Sequence, residues 1–170
     1  MKSRYKLTLA AIVSFVAFSS VVATAQDSFV VLSEKDKLRV VPTSFYFEGQ
    51  SAPTQMRNAA AARLGDKRFV IAGLVDTSGY SVEVRAKYEG FFITDSSVTV
   101  GGKEVTAGAY GFGFSDDGKF NLFDVGGNPV MSAETTKDKN LRRPRPLMMR
   151  KASDGLRLYN GRDYVVIAAK

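Results

Sequence analysis

A chain of 170 residues with neither cysteine nor histidine cannot assemble a Ser-His-Asp triad, a thiolate nucleophile, or a zinc site of imidazole and thiolate ligands. Its 24 basic and 17 acidic side chains give a formal net charge of +7, a modest excess that favours solubility without naming a partner.

Residues 1–25 read as a cleaved export signal. Lys2, Arg4 and Lys6 precede an apolar run over 7–22, and Ala23-Thr24-Ala25 supplies the small residues a signal peptidase accepts. Thr8, Ser14, Ser19 and Ser20 interrupt the run, which is shorter than the ~20 apolar residues of a spanning helix. Gln26 follows the site, so no cysteine is offered there for a lipid anchor. Without Lys2, Arg4 and Lys6, the 24 basic side chains fall to 21 against 17 acidic ones, a net +4. The remaining 26–170 is one domain's worth of chain, able to bury ~68–70% of its unfolded surface without disulfide staples. The expected location is the periplasm or the medium.

After the export signal the chain reads as short strands punctuated by turns. Strands are expected over 29–32, 38–41 and 44–47. The stretch 51–65 is ambiguous. Its run Ala59 to Ala62, with Pro53 before and Gly65 after, favours a short helix by propensity. Its place between strands favours a strand entering a Gly65-Asp66 turn. Next, Asp76 to Gly79 as a four-residue loop pairs Val75 with Tyr80, Gly73 with Val82 and Ile71 with Val84. That register leaves Ser81, Glu83, Arg85 and Lys87 as a solvated stripe.

Gly101-Gly102 suits a two-residue primed turn, which needs positive φ, and sets Val98 opposite Val105 and Thr99 opposite Glu104. For Tyr110 to Phe123, a two-residue Asp117-Gly118 turn would oppose Phe114 to Asn121. A three-residue loop, Asp116 to Gly118, with a left-handed Gly118, opposes Phe114 to Phe120 and Phe112 to Leu122, with apolar side chains on one face. The same logic at the C-terminus selects a Tyr159-Asn160-Gly161 loop, with Leu156 opposite Tyr164 and Arg157 opposite Asp163. A further strand is expected over 147–150. Strands and turns at this spacing predict an all-β fold: an antiparallel β-sandwich or small barrel built from hairpins, with room for one short helix. A transmembrane barrel would need strands of ~9–11 residues with a continuous apolar face, and these read shorter.

Gly101, Gly102, Lys103, Ala107, Gly108 and Tyr110 resemble the pattern Val-Gly-Gly-Lys-x-Leu-Pro-Ala-Gly-x-Tyr of a bacterial family of exported β-sandwich domains of unknown function. Val105 and Thr106 stand where that pattern has Leu and Pro. The resemblance covers about a dozen residues. It implies a β-sandwich in the bacterial envelope and brings no activity with it.

Three groups of residues are candidate sites. Arg142, Arg143, Arg145, Arg150 and Lys151 fall within ten residues, with Pro144 and Pro146 holding the segment extended. Such a strip suits acidic polysaccharide, lipid headgroups or another envelope protein; the plainer reading is a solvated connection that protects a sheet edge. No nucleic-acid motif accompanies it. The aromatics, including Phe45, Tyr46, Phe47, Tyr88, Phe91, Phe92 and Phe123, could stack on sugars or simply fill a core; Phe91 and Phe92 point to opposite faces of a regular strand, which would expose one of them. Asp116, Asp117 and Asp124, or Asp154 and Asp163, could supply the paired carboxylates of a glycosidase or calcium ligands, or merely shape turns. No motif for a cofactor or a metal stands out. The reading is an exported, non-enzymatic binding or structural β domain of the cell envelope. The alternatives are a small-ligand carrier, marked by a large enclosed apolar cavity, and a carboxylate-dependent hydrolase, marked by two carboxylates converging in a cleft.

Overall fold

The computed structural model describes residues 29–170; the export signal expected over 1–25 lies outside the described residues. In chain order the elements are β1 (Phe29–Val31), α1 (Glu34–Lys37), β2 (Ser44–Phe47), β3 (Gln50–Leu64) and β4 (Arg68–Val75). There follow α2 (Val82–Arg85), β5 (Gly90–Thr94), β6 (Val98–Val100), β7 (Lys103–Val105), β8 (Gly108–Ser115) and β9 (Lys119–Phe123). The chain ends in β10 (Pro129–Glu134), β11 (Thr136–Lys137), β12 (Arg145–Ala152), β13 (Gly155–Gly161) and β14 (Asp163–Ala169). The strands form two antiparallel sheets that do not close into a barrel. One runs β1-β3-β4-β5-β8-β9-β10 with β2 also on β3; the other runs β12-β13-β14-β6-β7 with β11 on β14.

Alternation along each strand explains how the sheets pack. Ala60, Ala62, Ala72, Phe92, Phe112 and Leu122 of the first sheet face Val100, Leu147, Leu156, Leu158, Val165 and Ile167 of the second in one filled core. The first sheet is buried on its other face too, where Ala59, Ala61, Ile71, Phe91 and Phe123 pack beneath Val41, Phe45 and Phe47. A smaller cluster of Leu141, Tyr159 and Tyr164 covers the outside of the second sheet. Phe91 and Phe92 do point to opposite faces, and both are fully buried because both faces are covered. Glycine provides the room: Phe91 lies opposite Gly73, where a Cβ would come within 2.7 Å of its ring, and Gly111 leaves space for the Phe47 ring.

This double burial also settles 51–65 as strand. Ala59 and Ala61 serve one core while Ala60 and Ala62 serve the other, so four small side chains fit a sheet pressed from both sides. An isolated helix of that length would be marginal. The Gly101-Gly102 turn and the Gly118 loop have the expected registers, with Val98 opposite Val105, Phe112 opposite Leu122 and Phe114 opposite Phe120. A strand does run through 147–150, within β12.

Three local expectations are corrected. Residues 38–41 are a turn after α1, with Leu38 exposed, because Ser33 caps a helical turn by accepting from Asp36 N. Residues 80–87 do not return along β4. Ser81 caps α2, Val82 is exposed, and β4 pairs instead with β5, whose Phe91 fills the space over Gly73. In the last hairpin, Leu156 lies opposite Ile167, Leu158 opposite Val165 and Tyr159 opposite Tyr164. That register sends both aliphatic pairs into the main core and both tyrosines outward, which the expected one could not. The turn is Gly161-Arg162 with Gly161 at φ 60°, the glycine-first order of a II′ turn.

Candidate anion-binding cleft

The basic strip begins at the outer cluster of the second sheet. Asp138 accepts a hydrogen bond from Tyr159 Oη (3.1 Å), and Leu141 is buried beside Tyr159 and Tyr164. Arg162 donates to the carbonyl of Leu141, fixing the chain just before Arg142. From there the segment runs into β12, an edge strand of its sheet. Its register shifts between Arg145 and Met148, across Pro146, as expected where proline sits on an edge. Arg142, Arg143, Arg145, Arg150 and Lys151 are all exposed. None has an ion pair or side-chain hydrogen bond among the described residues.

The opposite wall comes from the other sheet. β3 is paired with β2 over Gln50 to Pro53 and with β1 over Ala62 to Leu64, so its outer edge between them needs other partners. Thr54 N donates to Thr43 O, Leu32 N donates to Ala61 O, and the ammonium of Lys37 donates to Ala59 O at 3.0 Å. Lys37 is only 4% exposed. Its charge is offset by Glu34, whose carboxylate lies 2.7 Å from Nζ. A buried lysine with both an acceptor and a counter-ion is a satisfied one.

Where β12 passes β1 and β3, a cleft of about 340 Å³ opens, lined by Arg143, Arg145, Arg150 and Lys37 above Ala59 to Ala61. Three of the five strip residues therefore meet in one place; Arg142 and Lys151 do not line it. Guanidinium groups bind carboxylate, sulfate or phosphate in a forked geometry, and three free ones beside a buried ammonium make a local positive field that Glu34 only partly offsets.

The other candidates fare differently. Tyr46 is exposed, but Phe45, Phe47, Tyr88, Phe91, Phe92 and Phe123 are buried, so no row of rings awaits a sugar. Asp117 is held by Lys119 and Ser115, which depress its pKa. Asp124 closes its turn on Asn128 and Gly126 and is likewise depressed. Asp154 pairs with Arg157, which also lies 4.5 Å from the Tyr164 ring centroid; Arg157 does not face Asp163. These are turn and sheet contacts.

Two cleft-lining residues escaped sequence reasoning. Lys37 carries no signal of burial in a polar stretch. Glu89 lines a second cleft of about 350 Å³ with Asp116 and Asp163. One of its oxygens accepts from Phe114 N and from Asn160 Nδ2, each at 3.0 Å, which ties the two sheets together. Burial raises its pKa, opposed by those two hydrogen bonds. Among the described residues no three acidic groups converge as metal ligands.

Three residues of the hairpin signature have structural roles. Lys103 donates to Ser132 O at 2.6 Å, Gly101 lies against Ala133, and Tyr110 donates to Thr106 O at 3.0 Å. No protein-family model matches the chain, and no curated protein or solved structure is detectably similar to it.

Proposed function

We propose that this is an exported, non-enzymatic binding domain of the bacterial cell envelope, and that it holds anionic groups in the cleft between β12 and the β1–β3 edge. The observation that carries the reading is the meeting of Arg143, Arg145 and Arg150, all without ion-pair partners among the described residues, over the buried ammonium of Lys37. The amino-terminal export pattern and the resemblance of the Gly101–Tyr110 stretch support the compartment. A carrier is less favoured, because side chains of both sheets fill the space between them. The test is retention on a sulfated matrix. It should be lost as salt rises and be strongly reduced when Arg143, Arg145 and Arg150 become Ala; retention indifferent to both would remove the reading.

One observation favours a second reading, a carboxylate-dependent hydrolase. Glu89, whose pKa burial raises, shares a cleft with Asp116 and Asp163, and glycoside hydrolysis draws on two carboxyl groups flanking the scissile bond. A panel of chromogenic glycosides tests it: turnover abolished by both Glu89→Gln and Asp163→Asn supports it, and no turnover by the unaltered protein dismisses it.

A further inference from the structure

The β1–α1 corner stands between two clefts. On one side is the arginine-lined cleft; on the other a wider one of about 550 Å³ is lined by Val30, Val40, Phe69, Arg39 and Arg63. Val31 and Leu32 line both, so β1 forms a ridge. The corner is apolar and in water: on the ridge Val30 is 46% exposed and Val31 38%, and just after α1 Leu38 is 60% exposed. Charge on its flanks is mainly positive, with four basic side chains against Glu34 on one side and two against Asp36 on the other. Both acids are engaged, Glu34 with Lys37 and Asp36 with the Ser33 hydroxyl. Arg63 Nε is buried and has no hydrogen-bond partner among the described residues.

We propose that this ridge docks on an anionic phospholipid surface, its aliphatic side chains entering the headgroup boundary while the flanking guanidiniums meet phosphates. The proposal rests on the anion-binding reading and names the occupant. A soluble polyanion would need only the charge. Aliphatic residues set in the middle of a basic surface match a partner that is anionic outside and apolar beneath, the combination peripheral membrane proteins exploit.

The test uses the protein in its expected exported form, starting at Gln26, and compares two probes. One is sedimentation with vesicles of phosphatidylcholine containing about a quarter phosphatidylglycerol, against phosphatidylcholine alone. The other is retention on the sulfated matrix. Expected is partition onto the anionic vesicles only, weakened about a hundredfold by Ala at Arg143, Arg145 and Arg150. Val30→Ser with Leu38→Ser should weaken it about tenfold while leaving matrix retention unchanged. Both substitutions are at exposed positions, and an unchanged melting curve confirms an intact fold. If matrix retention persists but vesicles are not bound, or are bound equally well by the Val30/Leu38 variant, the lipid occupant is overturned and the anion cleft stands. Failure on both probes overturns both.

Discussion

At one seam between the sheets, Gly101 lies against Ala133 and Lys103 reaches the carbonyl of Ser132. At the other, Lys37 reaches the carbonyl of Ala59 in the same fashion, yet a cleft remains beside it, walled by arginines. In both places a lysine satisfies a backbone acceptor on a strand edge that has no neighbouring strand. The difference lies in what accompanies it. Lys103 is exposed and its seam is closed by a glycine turn, whereas Lys37 is buried and its seam is lined with arginines that have no ion pair among the described residues. A lysine on an edge carbonyl is thus a structural device at either seam, and unpaired charge beside one of them is what distinguishes the proposed site.

The closed seam should break most easily. Gly101 has φ 55° and no room beside Ala133, so Gly101→Val combines a left-handed β-branched residue with overpacking. It should cost about 3 kcal/mol or more in denaturant unfolding. Gly102 also has positive φ, 78°, but faces open space; Gly102→Ala should cost about 1 kcal/mol, from backbone strain alone. Equal losses at the two positions would mean that contact with Ala133 does not matter.

At the open seam, Lys37→Met should cost about 1–3 kcal/mol, because Ala59 O is left buried without a donor. A variant as stable as the parent would show that water or a rearranged β1 replaces the ammonium. Lys103→Ala, removing the same kind of bond at the surface, should leave the unfolding midpoint within measurement error. The contrast between these two lysines is the sharpest check on the comparison.

Glu89 supplies a further tie between the sheets, and its effect should depend on pH. Its folded-state pKa is raised, so its contribution is fully present below the ordinary carboxylate pKa of about 4.3 and is lost as pH rises through the raised value. Glu89→Gln should therefore gain stability relative to the parent as pH rises above the ordinary carboxylate pKa of about 4.3, as melting temperatures at increasing pH would show. A difference that is flat or runs the other way would contradict the assigned cause, burial.

Local turn chemistry made much of this fold legible. Gly118 and Gly101-Gly102 set the registers of two hairpins because only one pairing keeps Phe112, Phe114, Val98 and Val105 on a common face. The last hairpin misled because a two-residue Gly161-Arg162 turn and a three-residue loop ending at Gly161 differ only in which face the tyrosines take. That choice is made by Leu141, a distant residue that covers Tyr159 and Tyr164. The region 80–87 misled because apolar alternation in Tyr80, Val82 and Val84 imitates a strand, while the fit of Phe91 over Gly73 is a tertiary fact. The arginine strip was visible as a cluster, but its partners were not. Lys37 lies over a hundred positions earlier in the chain, and only the meeting of β12 with β3 brings the two together.

The central claim, that the open seam binds anions and the closed seam does not, is tested most directly by following backbone amide resonances while a short soluble polyanion such as tripolyphosphate is added. The account predicts saturable, salt-sensitive shifts confined to residues 31–37, 59–61 and 143–150, with residues 101–103 and 132–133 unmoved. Shifts that favour the Lys103 seam, or that spread evenly over every exposed lysine and arginine, would contradict it.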